Sequence, residues 1–209
     1  MKIVVYGANG KVGRLVVQEL LNAGHSVVAF VHGQSQFDEN VQLKITRGDI
    51  YNAAGVYEAM NGCDAVISTL GSWGTANKDI LTVGMTNIIP AMKSQNIRRI
   101  ISLTGHDARW SKDKINLTNR LTHPFLKLAI PKILKDGELH LQLLDQSGLD
   151  WTVLRSPVMN ERGDYKLYKL NTNRPLPWRT INRQSVAKAM LEIAETDSFI
   201  THAPFIHRS

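Results

Sequence analysis

Along this chain, short apolar runs alternate with stretches in which apolar residues recur every three or four positions. The alternation predicts a parallel sheet covered by helices on both faces, since strands buried on two sides read as unbroken apolar runs. Lys2–Tyr6 (KIVVY) is the first such strand. Lys11–Ala23 then places Val12, Leu15, Val16, Glu19 and Leu20 at helical spacing, and Gly24 ends the helix. Ser26–Val31 and Gln42–Thr46 read as the second and third strands, the latter closed by Arg47-Gly48-Asp49. Asn52 suits the N-cap of a short helix reaching Met60. Ala65–Leu70 is a fourth strand, Asn77 or Asp79 opens a helix to about Ser94 that Pro90 should kink, and Arg99–Leu103 is a fifth strand.

Beyond residue 105 the rhythm loosens. Residues 105–130 read as irregular, with a helix near 114–128. Proline in the first turn, where a missing N–H does little harm, starts a helix over Pro131–Gln146. Gly148 ends it and Asp150–Arg155 (DWTVLR) is a sixth strand. From Ser156 onward the pattern predicts loops, a small strand pair near 164–180, a helix at Gln184–Ala194 and a last strand at Pro204–His207. We therefore expect one domain over 1–209, with 156–209 partly a small lobe on the substrate side.

Composition narrows the class. A length of 209 residues suits one domain, and 43% apolar with 21% charged residues is ordinary for a soluble globular protein. No apolar run approaches the roughly 20 residues needed to span a bilayer, so no membrane partner is expected. The first strand runs straight into a glycine turn without a small-residue cleavage site, so no secretory leader is expected either. The single cysteine, Cys63, cannot form an internal disulfide, which suits a reducing cytoplasm. The net charge of +7 is spread along the chain without a basic block, so nucleic-acid binding is not expected; a solvated basic surface is the plain reading, and a phosphate-rich cofactor accounts for some of the charge equally well. No HExxH or CxxC spacing suggests a metal, and there is no GxSxG nucleophile turn.

The most informative segment is Gly7-Ala8-Asn9-Gly10-Lys11-Val12-Gly13, a GxxGxxG turn between a strand and a helix. Gly7 permits the tight turn, Gly10 lets backbone approach a pyrophosphate, and Gly13 lets helix and strand pack closely. The helix start then offers free N–H groups and partial positive charge to phosphates. The fold class expected is thus α/β: a Rossmann-type doubly wound, mostly parallel sheet with a small C-terminal lobe. An acid after the second strand would suit the ribose hydroxyl of NAD, but the sequence there is Val31-His32-Gly33-Gln34-Ser35. His32, with Lys11 in the glycine turn, favours the 2′-phosphate of NADP and leaves NAD possible.

With these residues in hand, the chain resembles the atypical short-chain dehydrogenase/reductases, in particular the NmrA-like NAD(P)H-binding group that includes flavin reductase/biliverdin-IXβ reductase. The resemblance rests on VVYGANGKVG around 5–13, RGDI (47–50), DAVISTLG (64–71), RRIISLTG (98–105), SGLDWTVLRSP (147–157) and SVAKAML (185–191). It implies that Asp49 and Ile50 flank an adenine, that Leu70 and Gly71 border a ribose, and that Ser102, Leu103 and Thr104 lie beside the nicotinamide. Pro157 would cover that ring. Each falls at a strand's carboxyl end, where open α/β sheets bind ligands, although a turn or packing role is the plainer reading of any single one.

Ordinary short-chain dehydrogenases carry Tyr-x-x-x-Lys on the helix before the sixth strand, the tyrosine moving the proton. Those slots here fall on Pro131 and Lys135, and no tyrosine occurs between Thr104 and Asp150. Tyr165-x-x-x-Lys169 follows the sixth strand and is read as coincidence. The departure argues against alcohol oxidation by the usual route and leaves hydride transfer to an acceptor that takes its proton from water, such as a flavin or quinone. Thr104 and His106 are the candidate polar contacts, Lys135 the surviving member of the pair, and Trp73 a candidate pocket wall; His140 reads as structural. The expected function is an NAD(P)H-dependent oxidoreductase acting on a small conjugated acceptor, as a monomer or homodimer. Two alternatives stay open: a non-catalytic NmrA-like sensor of NADP(H), and a sugar-nucleotide epimerase or dehydratase relative.

Overall fold

A computed structural model describes residues 1–38, 40–73, 75–114, 117–174 and 179–209. The elements run β1 (Lys2–Tyr6), α1 (Lys11–Asn22), β2 (Ser26–Val31), β3 (Leu43–Arg47), α2 (Ala53–Ala59), β4 (Ala65–Ser68), α3 (Ile80–Ser94), β5 (Arg99–Gly105), α4 (Leu117–Ala129), α5 (Pro131–Asp145), β6 (Asp150–Ser156), β7 (Met159–Asn160), β8 (Tyr168–Asn171), β9 (Ile181–Asn182), α6 (Arg183–Thr196) and β10 (Phe205–Arg208). The main sheet has the order β3-β2-β1-β4-β5-β6-β10-β8, parallel except where β8 runs against β10. The order reverses between β1 and β4, and the connections before and after that point lie on opposite faces. Such a reversal leaves a crevice beyond the strand carboxyl ends. Tyr6 pairs with Ser68 and Ser68 with Ser102, so β1, β4 and β5 end side by side at that crevice.

Each face of the sheet carries its own core. On one side α1 and α6 cover Ile3, Val5, Val27, Ala29, Ile67, Ile101 and Leu154; on the other α2, α3 and α5 cover Val4, Val66, Ile100, Trp151 and Val153. The alternation follows from strand pleating, with successive residues buried against opposite layers. The C-terminal segment joins this architecture, for β10 continues the sheet beside β6 and α6 packs on the α1 side. Among the described residues no helix is long and apolar enough to cross a membrane.

The expected strand pair near 164–180 is corrected by the structure. β8 finds its partner in β10, more than thirty residues later (Phe205↔Asn171 to Arg208↔Tyr168), while β7 pairs with β9 in a separate two-stranded ribbon. Period-two patterning marks a strand but not its partner, and both pairings here are non-local. Residues 175–178, including Trp178, lie outside the described residues. The helix expected to kink at Pro90 continues through it as α3. Asp79 is its N-cap residue, as expected, but the Asp79 side chain makes no cap bond and instead accepts from the Tyr51 hydroxyl at 2.8 Å. Asp136 of α5 does that work from across the layer, accepting from the backbone N–H of Leu81 (3.1 Å) and Thr82 (2.8 Å).

Candidate functional site

The glycine turn is built by close backbone contact. Gly7 has φ +79°, which favours glycine, and a Cβ there would lie 3.0 Å from the Leu70 nitrogen. A Cβ on Gly13 would lie 2.2 Å from the Gly7 carbonyl oxygen and 2.8 Å from that of Ala8, so α1 can sit over the turn only without one. Gly10 N–H donates to the Gly7 carbonyl at 2.9 Å, and the α1 ladder starts with Arg14 N–H donating to Gly10. The amides of Lys11, Val12 and Gly13 therefore precede any intrahelical acceptor. The N-cap is Gly10, with no side-chain cap bond and no acid in the first turn. Amides without acceptors, the positive end of a twelve-residue helix and an exposed Lys11 together fit the phosphates of a dinucleotide.

Thr69, which the sequence reading passed over, fastens this turn to the neighbouring strand. Its Oγ1 lies 3.1 Å from both the Tyr6 and the Gly7 carbonyl oxygens, to which it donates. Only its place at the end of an apolar run beside Leu70-Gly71 could have marked it. Leu70 is 8% exposed and backs onto α3, where a Cβ on Gly84 would come within 2.6 Å of it; Gly71 is exposed at the crevice. Ser72 Oγ donates to Asp136 at 2.8 Å, and Thr82 Oγ1 donates to the same carboxylate at 2.7 Å. Asp136 thus holds the loop after β4 as well as the start of α3. No local pattern announces a carboxylate whose four donors lie more than fifty residues away.

At the other end of the turn, Asn9 Nδ2 donates to the Gln34 carbonyl at 2.8 Å, tying the turn to the loop after β2, while its buried Oδ1 has no partner among the described residues. His32 Nδ1 stands 3.9 Å from Asp49 Oδ2, both side chains well exposed. Asp49 Oδ1 accepts from Tyr51 N–H at 3.0 Å, and the buried Ile50 gives its carbonyl to Asn87 Nδ2 at 2.7 Å. Two cations come to the same edge that the sequence reading did not single out. Arg47 ends β3 opposite Val31, and Arg14 donates to Gln36. The bend after β2 is thereby flanked by Arg14, His32 and Arg47, with Asp49 as its near acid.

The ends of β5 and β6 form the third part. Ser102 is fully buried and shares a hydrogen bond of 2.8 Å with His140 Nε2, so its hydroxyl faces α5. Thr104 lies on the same face, where a Cβ on Gly137 would come within 2.9 Å of its hydroxyl. His106 N–H donates to the Ser156 carbonyl at 2.8 Å, its ring lies 5.0 Å from that of Phe205, and neither buried ring nitrogen has a partner among the described residues. Burial first, then Arg174 and Arg155, push His106 down to about 4, so it is neutral near pH 7. Leu103 and Pro157 are buried beside these residues, whereas Lys135 is exposed on α5 and Trp73 is 68% exposed beyond β4. It is Gly137 that faces Thr104 from α5. The sheet thus brings the glycine turn, Leu70-Gly71, Thr104, His106 and Pro157 to one edge, and leaves Lys135 on the surface.

The Ser102–His140 pair generates a pH prediction. Burial holds His140 down at about 4 against an ordinary value of 6.5. Between these pH values the unfolded chain binds the extra proton, so native stability falls on acidification through that window, by on the order of 2 kcal/mol from pH 7 to pH 5 for this histidine. Urea unfolding should show a lower midpoint at pH 5, and the His140 ring carbon shifts should remain those of a neutral imidazole there. A His140 titration near 6.5 would contradict the buried pairing.

Comparison with known proteins agrees with this geometry. The NAD(P)H-binding family profile matches residues 7–197. The 2-alkyl-3-oxoalkanoate reductase of Shewanella oneidensis is 32% identical over 102 residues, 46% of this chain and 26% of that protein. The Stenotrophomonas maltophilia protein of the same name is 29% identical over 140 residues, 64% of this chain and 39% of that protein. The chain therefore spans less than half the length of these two curated relatives. Among solved structures, ChuY of Escherichia coli O157:H7, described as an anaerobillin reductase, superposes with a TM-score of 0.80 at 20% identity, covering 100% of this chain and 97% of the other. A short-chain dehydrogenase/reductase of Veillonella parvula in complex with NADP gives 0.77 at 16% identity, covering 99% and 94%. At these identities the superpositions speak for the fold, and the family follows from the profile with the glycine turn it begins on: this chain belongs to the NAD(P)H-binding family.

Proposed function

We propose that this protein is an NAD(P)H-dependent reductase that delivers hydride to a small conjugated acceptor, a flavin or a quinone, with NADPH as its preferred donor. The observation that carries the reading is the shared edge: an amide cradle after β1 and a neutral, unpartnered His106 after β5 open on the same side of one parallel sheet. In this reading the amides of the Gly7–Gly13 turn grip the diphosphate. Asp49 and Ile50 flank the adenine, and Leu70 and Gly71 border the ribose nearer the centre. The backbone of Ser102 and Leu103, with Thr104 and Pro157, fixes the nicotinamide ring. Trp73 lines the acceptor side.

A bound dihydronicotinamide supplies the hydride, and the chain supplies orientation and a dry surface. Proton supply separates this protein from alcohol dehydrogenases. The helix that would present a phenol presents Pro131, an exposed Lys135 and, against Thr104, the bare backbone of Gly137. A neutral His106 has one ring N–H and one lone pair to orient an acceptor, but with a pKa of about 4 it is a poor acid at neutral pH. Acceptors whose reduced form takes its proton from water suit such a site. The preference for NADPH rests on Arg14 and Arg47 beside the bend after β2, with His32 as a further hydrogen-bonding group, which suit a 2′-phosphate.

The same missing phenol also favours a second reading, a non-catalytic sensor of NADP(H), and one assay separates the two. NADPH consumption is followed with FMN, a quinone and a dicarbonyl as acceptors. The reductase reading expects turnover well above the protein-free rate with FMN or quinone and little with the dicarbonyl; tight cofactor binding without turnover on any acceptor would select the sensor. For the cofactor, His32→Ala and Arg47→Ala should each weaken NADPH binding by about five- to twenty-fold while changing NADH binding less than two-fold, as expected for loss of an exposed contact to a phosphate. Equal losses for both dinucleotides in calorimetry would refute the 2′-phosphate assignment.

A further inference from the structure

A helix on the surface of a folded chain normally turns its apolar stripe inward and its charges to water. Helix α1 obeys: Val12, Val16, Val17 and Leu20 are buried, while Lys11, Arg14 and Gln18 are exposed. Helix α4 does not. Its inner side carries a buried His123, whose Nε2 lies 3.3 Å from Glu138 of α5, and a half-buried Leu126. Its outer side carries Phe125 at 74% and Leu128 at 84% exposure, with an exposed Ala129 beside them. Residues three and four apart share one side of a helix, so these three form a single apolar strip left to water. A strip of this kind marks a surface that a second body covers.

The charge around the strip is of one sign. From Lys114 to Lys135 the sequence holds five lysines and arginines and no aspartate or glutamate. Arg120, Lys127, Lys132 and Lys135 are exposed, and none of them forms an ion pair among the described residues. The first two acids of α5 are engaged elsewhere: Asp136 binds Ser72 and the start of α3, and Glu138 meets His123.

Apolar side chains inside a collar of cations select the occupant. A second copy meeting this face about a two-fold axis would set the same cations opposite one another with no acid between them. An acidic protein groove that wraps a helix would need the side that α4 already gives to α5. A nucleic acid would take the cations and leave Phe125 and Leu128 wet. A flat surface with anionic headgroups over an apolar layer satisfies both kinds of side chain at once. Helix α4 has thirteen residues, too few to cross a bilayer, so it would lie along such a surface and not through it.

We propose that the outer face of α4 docks this protein on an anionic phospholipid bilayer, with Phe125 and Leu128 inserted among the headgroups and Arg120, Lys127 and Lys132 paired with their phosphates. The proposal stands apart from the reductase reading, since docking is measured without cofactor or acceptor.

The full chain is centrifuged with vesicles of phosphatidylcholine alone and with vesicles carrying an equal share of phosphatidylglycerol. It should bind the anionic vesicles at least ten-fold more tightly than the neutral ones, and raised salt should release it. The pair Phe125→Ser and Leu128→Ser should weaken binding to the anionic vesicles by about ten-fold or more, through lost apolar insertion. The pair Lys127→Gln and Lys132→Gln should weaken it by about twenty- to thirty-fold, at about five-fold per cation. All four side chains are exposed, so both double variants should keep the far-ultraviolet spectrum and melting temperature of the unaltered protein. A loss confined to one of the two pairs would overturn the proposal, because docking needs insertion and charge together. So would equal binding to neutral and anionic vesicles, or binding to neither. A dimer in sedimentation equilibrium that Phe125→Ser with Leu128→Ser dissociates, in place of vesicle binding, would assign the face to self-association instead.

Discussion

Everything at the candidate site depends on one contact between two stretches of backbone. The first turn of α1 lies against the Gly7 carbonyl so closely that a single methyl on Gly13 would come within 2.2 Å of it. Because that methyl is missing, the helix starts directly over the end of β1, and its first amides point along the carboxyl edge of the sheet instead of into solvent beside it. The Thr69 hydroxyl holds the same carbonyl from the neighbouring strand. The reversal of strand order between β1 and β4 leaves the edge open there, so the positive helix end and the crevice coincide.

The far wall of the crevice is made differently, with buried polar side chains in place of bare backbone. Asp136 takes four donors from the loop after β4 and the start of α3, and His140 of the same helix meets Ser102 of β5. Helix α5 is thereby fixed to three elements that border the site. That rigidity has a chemical consequence. In ordinary short-chain dehydrogenases this helix brings a phenol to the substrate, whereas here its inward positions are spent on holding the scaffold, and Gly137 closes against Thr104. Proton chemistry of the alcohol-oxidising kind has no group on this helix to run on. What remains at the edge is positioning and a neutral imidazole.

Much of this was legible in the sequence, for definite reasons. Five of the first six strands announce themselves as apolar runs because they are buried on both faces, β3 at the sheet edge being the half-exposed exception, and the glycine turn by a spacing that only a tight strand-to-helix turn needs. The order of helices and strands then forces the parallel arrangement. What escaped were contacts between residues distant in the chain. The partners of β7 and β8 could not be read from their own patterning, which specifies a face and not a neighbour. Asp79 stands at the N-cap of α3 as its sequence position suggests, yet the carboxylate that bonds the first amides of that helix lies on α5. Arg47 and Arg14 are unremarkable surface cations until the sheet register sets one beside Val31 and the hydrogen bond to Gln36 sets the other near the same bend.

The claim on which the account stands is that the first amides of α1 hold the cofactor's phosphates. A nitrogen-15 heteronuclear titration with NADPH tests it residue by residue. The account predicts saturable shifts concentrated on the N–H signals of Lys11, Val12 and Gly13, with smaller ones at Gly71. A titration that leaves those three amides unmoved, whether through lack of binding or binding elsewhere, would contradict it.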